Sequence, residues 1–442
     1  MSAYICLRLM VIHILIPKQT PRIGYTAAFI GSRLGINLVC TTTQTSDDQQ
    51  YYINYTDKKV PQSIQIYNSK FLEESSLQQD FRPDYSIENE MVRLFSGSSN
   101  CTISFDIFAS IFYCLSRYEE YQDFVPDQHG RFPSIASHAY KNDYLQSPVV
   151  DEWILYLRQT IQTYLNIELP APNPFKVLPT IDVDLAWAYK HRSFGHRIGS
   201  QLKKIMNGHV EEWKEQRQTY QSGLDPFDTF TYIEDQCKQL DCRYFFLCRN
   251  NGQYDTAYFL NKPEFAELIK SRSKQNKVGI HPSYSSFGNI EMLKEEKQWL
   301  ESVTGTSIQS SRQHYLKFTL PGTYLNLLES GILDEFSMGY ADRCGFRAGT
   351  SMPFYFYDLN KEQVTNLAVH PFCIMDVTLK NYQKLSIDDA GQLIRQFKQK
   401  LEEVNGQLCF IWHNSSFSIL GGWQGWDKVF EELVMSDKND IS

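Results

Sequence analysis

Residues 176–189 read KVLPTIDVDLAWAY, an apolar run that ends in two carboxylates one residue apart. Val177, Leu178 and Ile181 have the composition of a buried strand, and Asp182 and Asp184 arrive where that strand would leave the core. Burying unpaired carboxylates costs several kcal/mol, so these two are either partnered or part of a site. Paired acids at a strand end suit a cation with a proton-transfer group beside it. They also suit a plain loop, and the surrounding chain has to discriminate.

Upstream, the segment LPAPNPF, Leu169 to Phe175, carries three prolines and interrupts both helical and strand periodicity. It marks a boundary between a leading region, residues 1–170, and a second region, 171–442. Downstream, strand-like runs (RYFFLC, KVGIH, LCFIWH) alternate with amphipathic helical patterns over Lys262 to Ser273, Ile290 to Val303 and Asp388 to Val404. That alternation predicts βα units around a parallel sheet or barrel, in which chemistry collects at the C-terminal ends of strands. Three runs end on polar groups in the same way: TIDVD, VGIHPSYSS and LCFIWHNSS. Asp182, Asp184, His281 and His413 are thereby expected at one rim. A lone His after an apolar run is more often a rim or core histidine than a ligand; their recurrence together is the signal. Asp with His is a donor set suited to Zn²⁺ or a similar divalent ion with open positions for water and substrate.

From about Lys176 onward the chain resembles the NodB-type polysaccharide deacetylases, carbohydrate esterases whose metal-dependent domain is an irregular (β/α) barrel. TIDVD resembles the first motif of that family, which implies Asp182 as catalytic base and Asp184 as metal ligand. GIHPSYSS resembles the second, with His281 at the first ligand position but Ser285 where the family has a second His. SRQHY resembles the third, whose Arg holds the catalytic Asp; Arg312 matches, and His314 stands where the family has Pro. MDVTL places Asp376 at the acid that tunes the catalytic His, and LCFIWHN places His413 as general acid. The order and spacing of five motifs are more specific than any one of them. The stretches SRYEEY and GFRAGTSMPFYFYDL resemble those of a bacterial subgroup with an N-terminal domain of unknown role. The resemblance implies an α/β fold, an irregular barrel preceded by a smaller α+β domain. It also implies a divalent metal, zinc above others, and removal of an acetyl group from an N-acetylated amino sugar in a glycan or glycan precursor.

Ser285 leaves that ligand set one donor short, since catalytic zinc normally keeps three protein ligands. His314 follows a predicted strand, Ser307 to Gln313, two positions beyond Arg312 and on the same face if the run stays extended. It is the expected third ligand; the competing readings are weak coordination by Ser285, a loop role for His314, and a silent site.

The whole chain narrows the field further. Its 442 residues, 42% hydrophobic, are ample for globular cores, and a net charge of −8 without a Lys/Arg run argues against nucleic acid. Ten cysteines without a C-x-x-C pair suggest reduced thiols and a cytoplasmic location. No stretch approaches the roughly 20 apolar residues of a membrane span, and MVIHILIP, Met10 to Pro17, reads as a buried strand. In SFDIFASIFYCLSRYEEY, Ile107, Phe108, Ile111, Phe112 and Leu115 share a helical face behind a Ser104 or Asp106 cap. Arg117, Glu119, Glu120 and His129 near its end suit either a site or, more commonly, a salt-bridged helix end. Arg347 between glycines suits an anion or a loop brace; Trp423 and Trp426 suit a sugar platform or a helix cap. His191, His196 and His209 lie among basic residues and are expected at the surface.

Two further readings belong to other classes. Asp182-Val183-Asp184 can serve as the D-x-D site of a metal-dependent glycosyltransferase, which leaves His281 and His413 without a role. An inactive carbohydrate-binding protein is the reading that Ser285 motivates. The sequence specifies neither the sugar nor an oligomeric state.

Overall fold

The computed structural model describes residues 10–43, 52–97, 99–191, 210–251 and 253–435. The apolar run after Met10 forms β1 (Val11–Leu15), which is joined by β2 (Asn37–Thr41), β3 (Tyr52–Asn54) and β4 (Ser63–Gln65) in a parallel sheet of order β2-β1-β3-β4. Helix Pro21–Leu34 makes the crossover from β1 to β2. Thr20 accepts from the Ile23 N–H at its start, Pro21 sits in the first turn, and Gly35 at φ 70° ends it. A hairpin of β5 (Tyr85–Glu88) and β6 (Met91–Leu94) follows. The leading sheet is parallel with a helical crossover, so this region is α/β rather than the expected α+β. Helix Ile107–Leu115 forms behind an Asp106 cap, and every residue of it is buried, not one face alone.

The second region contributes β7 (Lys176–Val183), β8 (Arg243–Leu247), a short hairpin of β9 (Asn250–Asn251) and β10 (Asp255–Thr256), then β11 (Lys277–His281), β12 (Ser310–Ser311), β13 (Asp334–Glu335), β14 (Phe354–Asp358), β15 (Gln363–Val369), β16 (Ile374–Met375) and β17 (Gln407–His413). All but β9 and β10 form a nine-stranded sheet of order β14-β15-β13-β12-β11-β8-β7-β17-β16, parallel except for the β14–β15 pair. The predicted helices appear as Pro263–Gln275, Ile290–Thr304 and Ile387–Glu403.

Alternation along the central strands sorts side chains onto two faces. Ile181, Phe410 and Trp412 join the large core with Phe265, Ile269, Leu300, Ile394 and Phe397 of the helices. Leu178, Phe245, Cys409 and Ile411 point the other way, into a second apolar cluster with Leu316, Phe336, Phe372 and Met375. Thr180, Asp182 and His413 share that inner face by register. Gly279 is required there: a Cβ would lie 2.5 Å from the Phe245 ring and 2.8 Å from the Ser310 carbonyl oxygen.

The expected barrel is not closed. The described strands leave β14 and β16 as free ends of one sheet, and the gap on the β16 side is bridged by irregular chain instead. The Phe372 N–H donates to the Met338 carbonyl, and the Gly345 N–H to the Cys373 carbonyl. β16, at one end of the sheet, has two residues and pairs only with β17, while β14 at the other end pairs only with β15.

The large core runs without interruption from Ile12 to Val434. Tyr25 donates to the Tyr355 carbonyl at 2.7 Å, and its ring lies 5.1 Å from that of Tyr357. Fully buried Arg22 pairs with Glu362 at 2.5 Å. Arg117 bonds Glu119 at 2.9 Å and Glu120 at 2.7 Å, and Glu120 also binds Arg347 at 2.6 Å. That buried network is the bracing reading of Arg117, Glu119, Glu120 and Arg347. The 169–175 segment lies in the connection between helix Val149–Leu165 and β7. The nine described cysteines are free thiols, and no described helix is long and apolar enough to cross a membrane.

Candidate functional site

The parallel pairing of β7 with β17 sets Asp182 opposite His413, and that of β8 with β11 sets His281 at the same end of the sheet. Asp182 is buried, with both carboxylate oxygens 3.4 Å from Arg312 Nη1. Arg312 is itself fixed on all sides. Its Nη2 donates to Thr180 at 3.0 Å, its Nε to the Phe336 carbonyl at 2.6 Å, and its guanidinium lies between the Phe245 and Phe372 rings, 5.2 and 5.3 Å from their centroids. A guanidinium so restrained holds a carboxylate in place without turning with it.

Asp184 Oδ1 lies 3.2 Å from His281 Nε2, and its Oδ2 lies 3.6 Å from His314 Nε2. His281 Nδ1 contacts the Arg312 carbonyl, and His314 Nδ1 lies 3.1 Å from Asp255 Oδ1. Both partners are acceptors only, so both Nδ1 atoms carry the proton and both Nε2 atoms aim at Asp184. Asp184 Oδ1 is buried and receives no hydrogen bond. Either a proton or a metal ion can sit between these imidazole nitrogens and the carboxylate, and a metal ion would take the place of the proton on each Nε2. The donor atoms of Asp184, His281 and His314 all fall within 4.8 Å of one another, and ligands on tetrahedral zinc, with bonds of about 2.0–2.1 Å, sit roughly 3.3 Å apart. These three residues fit a divalent ion.

Ser285 has a different place. Its hydroxyl and its N–H both donate to Asp255 Oδ2, and the Tyr284 N–H donates to Asp255 Oδ1 at 2.7 Å. Ser285 thus helps fix the carboxylate that orients His314. Asp255 escapes notice in the sequence because it lies in the polar stretch NGQYDTAY, with no apolar run to mark its strand. The predicted strand over Ser307 to Gln313 contracts to β12, and His314 follows it in a tight turn. In that turn Tyr315 and Leu316 adopt φ of 59° and 51°. Left-handed backbone costs a non-glycine residue about 1–2 kcal/mol.

Across the cleft, His413 Nδ1 donates to Asp376 at 2.9 Å, while the His413 and Val377 N–H groups donate to the same carboxylate at 2.8 and 2.7 Å. His413 Nε2 lies 3.8 Å from Asp184 Oδ2. Burial works against a charged imidazole here, but Asp376, with Asp184 and Asp182 behind it, wins and lifts His413 to about 10. The same contest lifts His314 to about 9, with burial opposed by Asp184 and Asp255. Asp184 is held well below the ordinary carboxylate range by His314, His281 and His413 despite its burial.

The cleft over these groups has a volume of about 320 Å³ and is walled by Arg131, Gln253, Tyr254, Tyr315, Leu316, Met375, Val377 and Tyr382. Arg131 comes from the leading region and was not singled out by its sequence. His129 leaves the Arg117 network and faces the rings of Tyr254, Tyr284 and Tyr315 at 5.8, 5.8 and 5.2 Å. Trp426 is buried at the start of helix Asp427–Val434 and Trp423 packs edge-on against it, away from the cleft. His191 is half-buried against Trp187; His196 and His209 lie outside the described residues.

His314→Ala is expected to weaken divalent-metal binding far more than Ser285→Ala, which removes a support of Asp255 and not a donor to the ion. Loss of a group that orients a ligating imidazole typically costs about 10- to 100-fold in metal affinity. Metal must displace the His314 Nε2 proton, so affinity should fall about tenfold for each pH unit below 9. Titration against a chromophoric chelator at several pH values checks both; unchanged affinity in His314→Ala with a large loss in Ser285→Ala would reverse the assignment.

A family of unknown function, DUF7033, matches residues 12–166. The chain matches none of the curated proteins. Among solved structures it is similar to a candidate polysaccharide deacetylase from Mycobacterium smegmatis at 14% identity and TM-score 0.38, over 61% of this chain and 85% of that one. It is also similar to a polysaccharide deacetylase from Bacillus cereus, at 12% identity and TM-score 0.28, over 59% of this chain and 85% of the other. A third is a candidate polysaccharide deacetylase involved in O-antigen biosynthesis from Bordetella bronchiseptica, at 12% identity and TM-score 0.30, covering 54% of this chain and 71% of its own. Likenesses this distant leave the functional reading to the geometry of the cleft.

Proposed function

We propose that the protein is a metal-dependent hydrolase that removes an N-acetyl group from an amino sugar in a glycan or glycan precursor, with zinc as the metal. The observation that carries this reading is the arrangement of two oppositely poised proton carriers around one Asp-His-His cluster. Asp182 is a braced carboxylate on β7, and His413, its ladder partner on β17, is an imidazole lifted to about 10 by Asp376 and the acids behind it.

A divalent ion held by Asp184, His281 and His314 would polarise the amide carbonyl and acidify a water. Asp182 then takes the proton of the attacking water, and Arg312 keeps its carboxylate turned toward the cleft. His413 carries the proton that the departing amine needs, and Asp376 holds its Nδ1 so that Nε2 is the atom that donates. Acetate and a free amino sugar result. The volume of about 320 Å³ and the Tyr254, Tyr315 and Tyr382 rings suit a single sugar ring with its acyl arm. A D-x-D donor site would place both acids on the ion, whereas Asp182 faces Arg312 and the His413–Asp376 pair would have no task.

Acetate release from an N-acetylglucosamine oligomer should stop on chelation and return on adding Zn²⁺. Release that continues unchanged in excess EDTA, with metal content verified as nil, would overturn the proposal.

A further inference from the structure

Among the described residues, the leading region reaches the cleft through one loop. Residues 125–133, VPDQHGRFP, turn around Asp127, whose carboxylate accepts from the N–H groups of His129 and Arg131 at 2.9 and 3.0 Å and from Arg131 Nε at 2.7 Å. Gly130 at φ 78° lets the loop close. The outcome is a buried Arg131 whose guanidinium is aimed at the turn that carries His314. Its Nη1 donates to the Tyr315 carbonyl at 2.6 Å, and its Nη2 approaches the Tyr382 hydroxyl at 3.5 Å.

Tyr315 is the residue after His314 and the first of two consecutive left-handed positions. Such a turn persists only where its surroundings over-determine it. From below, the His314 N–H donates to the Pro282 carbonyl at 3.1 Å, and the Leu316 N–H to Gln313 at 2.9 Å. From above, Arg131 supplies a charged donor whose own direction is set by Asp127. His129 packs on the same turn, its ring 5.2 Å from Tyr315. The Ser134 hydroxyl, donating to Asp342 at 2.5 Å, anchors the loop's exit to the second region.

We infer that Arg131 is a positioning residue for the metal centre: by clamping the Tyr315 carbonyl, it holds the His314 imidazole at the angle at which Nε2 meets Asp184 and His281. The region that matches a family of unknown function therefore supplies part of the frame of the site. This inference rests on the metal-centre reading proposed above and assigns no ligand beyond it.

The test is Zn²⁺ affinity of the full-length protein, measured by competition with a chromophoric chelator, in wild type, Arg131→Gln, Arg131→Lys, His314→Ala and the Arg131→Gln/His314→Ala double variant. Arg131→Gln should weaken binding by roughly 10- to 100-fold, the range for loss of an outer-shell support. Arg131→Lys, which keeps a charged donor, should recover part of it. In the His314→Ala background Arg131→Gln should cost nothing further, because the imidazole it steadies is gone. A general loss of folding lowers affinity equally in both backgrounds, and that result overturns the inference. Wild-type affinity in Arg131→Gln overturns it as well. Absence of Zn²⁺ binding by wild type is a separate result, which removes the metal centre itself and the inference with it.

Discussion

Asp182→Asn is expected to lower acetate release by on the order of 10²- to 10⁴-fold while the protein binds as much added divalent metal as wild type. Asp184→Asn is expected to lose the metal. The distinction follows from where each carboxylate points. Asp182 spends its contacts on Arg312, 3.4 Å away, and lies 3.9 Å from His281 Nε2, whereas Asp184 stands at 3.2 and 3.6 Å from the two imidazoles that share its cluster. Amide replacement at 182 leaves Arg312 buried beside a neutral group, and removing one partner of a buried pair costs about 3–5 kcal/mol. Its bonds to Thr180 and the Phe336 carbonyl remain. Thermal unfolding alongside metal analysis separates a damaged fold from a missing base. Equal metal content and equal residual rates in both variants would remove the assignment of roles.

His413→Ala should cost a similar factor, on the order of 10²- to 10⁴-fold, with metal affinity close to wild type. Asp376→Asn tests the same pair more finely. Burial alone would push the His413 imidazole down, and Asp376 is the main group that lifts it to about 10. Without that carboxylate the proton leaves at lower pH, so the alkaline limb of kcat/KM should move toward neutrality. The acid limb, set by other groups, should stay. Loss of metal in His413→Ala would make His413 a ligand and leave the leaving amine without a donor.

Much of this site is visible in the sequence because period-two patterning is local. TIDVD and LCFIWH each announce a strand and a polar end, which is enough to expect both at one rim; that β7 and β17 are neighbours in a register that sets Asp182 opposite His413 appears only in the structure. Arg312 is visible only through the third-motif resemblance, and His314 through a predicted strand that shrinks to the two residues of β12, so its position comes from the turn that follows and not from periodicity. Asp255 and Arg131 leave no local mark. Asp255 meets His314 across 59 residues and Arg131 meets Tyr315 across 184, contacts made by the closing of loops and not by any repeat. Barrel closure fails to be legible for a related reason. Whether a sheet joins its own edges depends on its outermost strands, and β16 is a two-residue strand that no apolar alternation marks in the sequence.

The unbroken core has a bearing on how such a chain can be assembled from parts. Arg22 is sealed against Glu362, and Glu120 is shared by Arg117 and Arg347, so a cut near residue 170 would strand charges on both pieces in apolar surroundings. It would also strip the Tyr357 ring of its Tyr25 neighbour. The leading segment is therefore no detachable module that recombination can exchange for another. A hybrid that joins this cleft to a foreign N-terminus would have to supply either partners for Glu362 and Arg347 or apolar side chains of matching volume in place of both members of each pair.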